Sequence, residues 1–231
     1  MKILITGASQ GIGLAIAKQL YAEGHNLFLL ARNSERLDHV LQSFGEGVIG
    51  TCCNLGDPQE IHTAQKQIAE HDFLPDVLIL NAAEFGPSVR SVLKPAAQEL
   101  RDILEINLLA NYQLVQGFLE SLKRSSYPRI IIVGSTASIR TDDNSLYGIS
   151  KWALRAYTYF LRNELKDVGI GVTLLNPGGT FTQKRKPNQN TSADRLLNAS
   201  DIAKTAAYIL NLSPQAVVEE MNVRPMQGDT Y

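Results

Sequence analysis

The chain has few of the residues that build metal centres and cross-links. Its only two cysteines, Cys52 and Cys53, are neighbours in sequence, and its four histidines (His25, His39, His62, His71) stand at no metal-ligand spacing with them. No metal is therefore expected, and two buried strand thiols fit a reducing, cytoplasmic setting. Charge of one sign is missing too. With 22 basic against 23 acidic residues, no net field favours nucleic acid or a membrane surface. No apolar run approaches the roughly 18 residues of a membrane span, and the apolar N-terminus is broken by glycines without a cleavage pattern. Internal repeats, low-complexity segments and a dividing linker are absent. The expectation is one soluble domain over residues 1–231, with small molecules as its partners.

What is present is alternation. Short apolar runs, expected as strands, lie at Lys2–Thr6, Asn26–Ala31, Val48–Cys52, 76–80, Arg129–Val133, 171–175 and 217–223. Helical patterns fill the gaps at 11–23, 34–44, Pro58–Glu70, 98–123, 147–167 and 200–212. This predicts an α/β fold, a doubly wound parallel sheet of about seven strands with helices on both faces.

The first thirteen residues organise the rest. Ile3, Leu4 and Ile5 run into Thr6-Gly7-Ala8-Ser9-Gln10-Gly11-Ile12-Gly13, after which Ile16, Ala17 and Leu20 recur at helical spacing. A strand thus turns through glycines into a helix whose free N–H groups and positive dipole end suit a pyrophosphate. Gly7 allows the tight turn, Gly11 a close backbone approach, and Gly13 close packing of helix on sheet. With Thr6, the spacing is TGxxxGxG. It resembles the cofactor loop of the classical short-chain dehydrogenase/reductase family, whose fold is Rossmann-like and whose cofactor is NAD(P).

Further segments carry the same resemblance. The second strand ends in Ala31, Arg32 and Asn33, about twenty residues after the glycine loop, where an acid would bind an adenosine ribose hydroxyl. That acid is missing. Ala31 followed by Arg32 looks like the NADP-preferring branch, which implies NADP(H) as the preferred cofactor with NAD(H) still usable, although Gln10 stands where many such members carry a second basic residue. A charge-assisted contact of this kind is worth about 1.5 to 3 kcal/mol, a ten- to hundredfold preference. Asn54-Leu55 takes the place of the acid and aliphatic residue beside the adenine. Leu80-Asn81-Ala82-Ala83 resembles the family's NNAG, with Asn81 placed to pin the central strand and Ala83 small enough to let the cofactor pass.

The chemistry concentrates further on. Ser135 follows the strand Ile130-Ile131-Ile132-Val133, at the carboxyl end where open α/β sheets place ligands. Tyr147 and Lys151 are four apart on the next helix and project from one face. Asn107 lies amid apolar residues in the middle of a predicted helix, where its amide needs a partner. On the family's pattern Tyr147 is the general acid, Ser135 the donor that polarises the substrate oxygen, and Lys151 the electrostatic partner. Asn107 would bend its helix and support a proton relay through water. An ammonium about 5 Å from the phenol, at an effective dielectric near 20, contributes about 3 kcal/mol and lowers the phenol's pKa by about two. Lys151 would also hold the nicotinamide ribose.

Pro177, Gly178, Thr180 and Thr182 resemble the segment that receives the nicotinamide carboxamide. Residues 183–198 are expected to border the substrate, and the cations Lys184, Arg185 and Lys186 read there as a solvated loop. Pocket candidates are Glu84, Phe85, Ser138, Ile139, Arg140, Asp142 and Phe181. The expected activity is interconversion of a carbonyl and a secondary alcohol. The rival is a catalytically silent NAD(P)-binding sensor, which would carry a damaged Asn-Ser-Tyr-Lys set. The resemblance also implies a homodimer or homotetramer, joined through the helices beginning near Gln98 and Tyr147.

Overall fold

A computed structural model describes residues 1–87, 91–140, 145–183 and 195–229. β1 (Lys2–Thr6) is an aliphatic run with Ile3, Leu4 and Ile5 fully buried, as a central parallel strand requires. It turns into α1 (Gly11–Ala22), which buries Ile16, Ala17 and Leu20. β2 (Asn26–Ala31) leads to α2 (Ser34–Gln42), capped by the Asn33 side chain, which accepts from the Arg36 amide at 2.7 Å. β3 (Val48–Cys52) leads to α3 (Pro58–Glu70), where Asp57 caps and proline takes the first turn.

After β4 (Val77–Leu80) come α4 (Ala97–Leu104), a π-helical turn (Glu105–Leu109) and α5 (Ala110–Arg124). β5 (Arg129–Val133) is followed by a 3₁₀ turn (Thr136–Ile139) and α6 (Leu146–Leu165). β6 (Gly171–Pro177), the short β7 (Thr180–Phe181) and β8 (Leu197–Asn198), α7 (Ala199–Leu210) and β9 (Glu220–Val223) complete the described chain.

The main sheet has seven parallel strands in the order β3-β2-β1-β4-β5-β6-β9. Strand alternation divides its apolar side chains between two cores. Leu4, Phe28, Leu78 and Ile130 meet α3, α5 and α6 on one face, while Ile3, Ile5, Ile79 and Ile131 meet α1 and α7 on the other. The order reverses between β1 and β4, which opens a crevice at the carboxyl ends of these strands.

The stretch predicted as helical over 98–123 is interrupted by the π-helical turn, where Asn107 faces inward at full burial, in keeping with the bend expected at that residue. Two expectations need revision. Strand four begins after Asp76, whose carboxylate instead accepts from the Lys2 amide (2.8 Å) and the Ser125 hydroxyl (2.7 Å). The thiols are not both buried strand residues: Cys52 ends β3 exposed, and Cys53 lies beyond it, buried. β3 is the sheet's edge and consecutive side chains point to opposite faces, so only one of the pair can turn inward.

Candidate active site

The crevice is a cleft of about 1030 Å³. Its floor is the glycine turn. Gly7 (φ +66°) and Gly11 (φ +57°) occupy the left-handed region that a side chain disfavours. A Cβ on Gly13 would stand 2.4 Å from the Gly7 carbonyl oxygen and 2.5 Å from Asn81 Nδ2, so Gly13 lies behind the loop and brings α1 onto it. Gln10, the N-cap of α1, makes no side-chain capping bond, so no cap competes for the helix's first N–H groups. Asn81 ties β4 to β1: its amide donates to Thr6 Oγ1 (2.9 Å) and its Nδ2 to the Thr6 carbonyl (2.9 Å).

Ser9, Gln10, Ile12, Ala31, Arg32, Asn33, Asn54, Leu55, Ala82 and Ala83 line one end of this cleft with the turn. The Arg32 side chain is 62 % exposed and faces Glu84 across the cleft, 3.7 Å from its carboxylate. Such a pair in water is worth at most about 1 kcal/mol. Asn54 Oδ1 accepts from the Gly56 amide at 3.2 Å. A residue missed in the sequence joins them. Arg36, from the first turn of α2, reaches the cleft and donates to Gln10 Oε1 at 2.8 Å. Gln10, lacking a base of its own, thus anchors one from another element. Only the three-residue offset from the capping Asn33 hinted at it.

Ser135, Tyr147, Lys151, Pro177, Gly178 and Thr180 also line the cleft, on the side of β5 and β6. Thr182 lines it beside the glycine turn, its Cγ2 3.3 Å from where a Cβ on Gly11 would stand. Ser135 caps the 3₁₀ turn by accepting from the Ala137 amide (3.1 Å), a bond that uses a lone pair and not the hydroxyl proton. Lys151 is 1 % exposed; its Nζ donates to the Val133 carbonyl (3.0 Å) and lies 5.6 Å from the centre of the Tyr147 ring. Burial without a carboxylate partner lowers its pKa to about 7. Phe85 stacks on Tyr147, ring centres 4.9 Å apart.

Asn107 stands behind the wall rather than in it. Its side chain clamps the backbone of Glu84, accepting from the amide and donating to the carbonyl, both at 2.8 Å, and it also donates to Ser150 Oγ (2.9 Å). Its own carbonyl accepts from Asn111 Nδ2 at 2.8 Å. Among the pocket candidates, Glu84 and Phe85 line the cleft. Ser138 is buried behind it, with its hydroxyl on the Ser135 carbonyl, while Ile139, Arg140 and Phe181 lie outside its lining. Asp142 and the cations at 184–186 fall outside the described residues. A second support missed in the sequence is Asp229, which accepts from the Gly179 amide at 2.8 Å and braces the Pro177-Gly178 turn.

The short chain dehydrogenase family model matches residues 1–193, and the chain belongs to that family. A 3-oxoacyl-[acyl-carrier-protein] reductase of Haemophilus influenzae is 30% identical over 217 residues, covering 89% of this chain and 88% of its own. An alcohol dehydrogenase of Thermococcus sibiricus, solved with 5-hydroxy-NADP, superposes with a TM-score of 0.88 at 27% identity, covering 100% of this chain and 98% of its own. A short chain dehydrogenase of Burkholderia cenocepacia, solved with NADP, gives 0.85 at 26% identity, covering 96% and 95%. The chain is accordingly an oxidoreductase of CH–OH and C=O groups with a nicotinamide dinucleotide cofactor. The cradle floored by Gly7 and Gly11, whose left-handed backbone leaves the cleft free of side chains there, fits that group. Among the described residues, no helix is long and apolar enough to cross a membrane and no side-chain cluster could hold a metal ion.

Proposed function

We propose that the chain is an NADPH-preferring carbonyl reductase that interconverts a carbonyl and a secondary alcohol, with Tyr147 as general acid and base. The observation that carries this is that one cleft receives the glycine turn, a serine at a strand end, and a tyrosine with a buried lysine. The dinucleotide, when bound, supplies or accepts the hydride. Tyr147 gives its phenolic proton to the carbonyl oxygen as negative charge develops there, and takes it back in the reverse direction. The Ser135 hydroxyl donates to the same oxygen, its lone pair already committed to Ala137. Lys151 in its ammonium form stabilises the phenolate that remains, and with a pKa of about 7 it exchanges protons near neutrality.

At the other end Arg32 and Arg36 favour a 2′-phosphate, and Asn54 and Leu55 flank the adenine. Asn107 acts through the Glu84 backbone that it holds. On this reading residues 1–231 are one catalytic domain, with 183–198 bordering the substrate. Subunits pair through the α4–α5 stretch and α6, which expose Tyr112, Trp152 and Phe160. A cytoplasmic site is consistent with two free thiols. The test is a panel of aldehydes and ketones followed by NADPH absorbance, beside Tyr147→Phe. Turnover is expected to fall by about a thousandfold in the variant while NADPH binding persists. Equal activity in both proteins removes Tyr147 from the mechanism.

A further inference from the structure

The edge strand β9 takes no part in lining the cleft, yet it carries a carboxylate wired to Ser135. Asn176, at the end of β6 and fully buried, accepts from the Ser135 amide at 3.1 Å through Oδ1, with the Ser138 hydroxyl at 3.5 Å from the same oxygen. The neighbouring Gly134 makes room for it, since a Cβ there would stand 2.2 Å from Oδ1. An amide can present its oxygen to Ser135 only if its nitrogen is directed elsewhere. That nitrogen donates to Glu220 Oε1 (2.8 Å) and Asn222 Oδ1 (2.9 Å), both on β9. Glu220 is held in turn by α6: Arg155 Nη2 donates to Oε2 at 3.1 Å, and the Tyr159 hydroxyl donates to the same oxygen. Burial pushes the Glu220 carboxyl up, but the hydrogen bonds from Tyr159 and Arg155 outweigh it and hold it below its ordinary value.

Arg155 and Tyr159 continue the four-residue spacing of Tyr147 and Lys151 along one face of α6. The carboxylate therefore links the helix that carries the proton donor to the strand end that carries the serine. We propose that Glu220 is a positioning residue: through Asn176 it fixes the backbone at Ser135, and so the place of the serine hydroxyl relative to Tyr147. This rests on the catalytic reading of Ser135 and Tyr147 given above.

Glu220→Gln tests it with little change of shape. The variant has one acceptor oxygen where the native residue has two; Arg155 claims it, and the new amide nitrogen then meets Asn176 Nδ2, donor against donor. In the full chain with NADPH present, hydrogen exchange at the Ser135 amide is expected to quicken by about tenfold or more, while the amides of Ile131 and Ile132 keep their protection. With 4-nitrobenzaldehyde as probe, kcat is expected to fall about tenfold with KM for NADPH unchanged, and Glu220→Gln to cost nothing further in a Ser135→Ala background. An unchanged Ser135 amide, or equal loosening of every β5 amide, overturns the proposal. If Ser135→Ala alone leaves kcat intact, the catalytic reading fails instead, and the exchange data still judge the positioning.

Discussion

At the end of the cleft where Lys151 lies, functional groups are buried or half-buried and braced from behind; at the end where Arg32 lies, its charged groups stand largely in water. Lys151 is almost wholly enclosed and bonded to the Val133 carbonyl, whereas Arg32 is 62 % exposed and leans on one carboxylate. Desolvated groups act strongly on each other and tolerate little displacement, while exposed charges are screened and replaceable. The first arrangement suits proton transfer. The second suits a graded choice between two cofactors that differ by one phosphate.

The comparison is broken most directly at Lys151. Lys151→Met is expected to lower turnover by about a thousandfold and yet to raise stability, because an unpaired buried ammonium is removed. The folded pKa of about 7 lies below the ordinary lysine value, so between pH 7 and about 10 the unfolded chain binds more protons than the folded one. Native stability is therefore fully relieved of this penalty only above that window, and falls as pH drops from 10 towards 7. Denaturant titrations across the range should show that slope in the native protein and not in the variant. A variant less stable at pH 7 would mean that the lysine is not strained by its burial.

Arg32→Ala probes the other end. It is expected to reduce the NADPH-to-NADH affinity ratio about ten- to hundredfold, with kcat nearly preserved, and raising the salt concentration should mimic part of the loss. An unchanged ratio in fluorescence titrations refutes the phosphate contact. Arg36→Ala should shift the same ratio by only about fivefold, since it is worth no more than an exposed pair. Glu84→Gln is the smallest change: freeing Arg32 from its 3.7 Å partner should tighten NADPH about twofold and leave NADH unaltered. A loss of NADPH affinity would show that Glu84 helps the phosphate rather than competing for Arg32.

At both ends the sequence disclosed some residues and hid others. Tyr147 and Lys151 share one turn of one helix, and the glycine turn is a contiguous stretch, so local periodicity was enough to place them together. The strand runs were equally plain, because both faces of a parallel sheet demand apolar residues. Arg36, Asp229, Asn176 and Glu220 gave no such signal. Each owes its place to a partner far along the chain, as when Asp229 reaches Gly179 or Glu220 reaches Asn176, and spacing along a sequence carries nothing of contacts that only tertiary packing creates. Asn107 was conspicuous as a polar residue in an apolar helix, but its partner, the backbone of Glu84, was not.

The π-helical turn at Glu105–Leu109 governs what can be removed from this chain. Each residue of a helix advances the rotation by about 100°. Excising a single position from the regular first turn of α5 would swing everything downstream through that angle, taking Leu114, Phe118 and Leu122 off the core they now fill. The π-helical turn, by contrast, holds one residue more than regular winding needs and can give it up with the downstream phase kept. A one-codon deletion at Asn107 would therefore spare that layer of the protein and cost the grip on the Glu84 backbone instead.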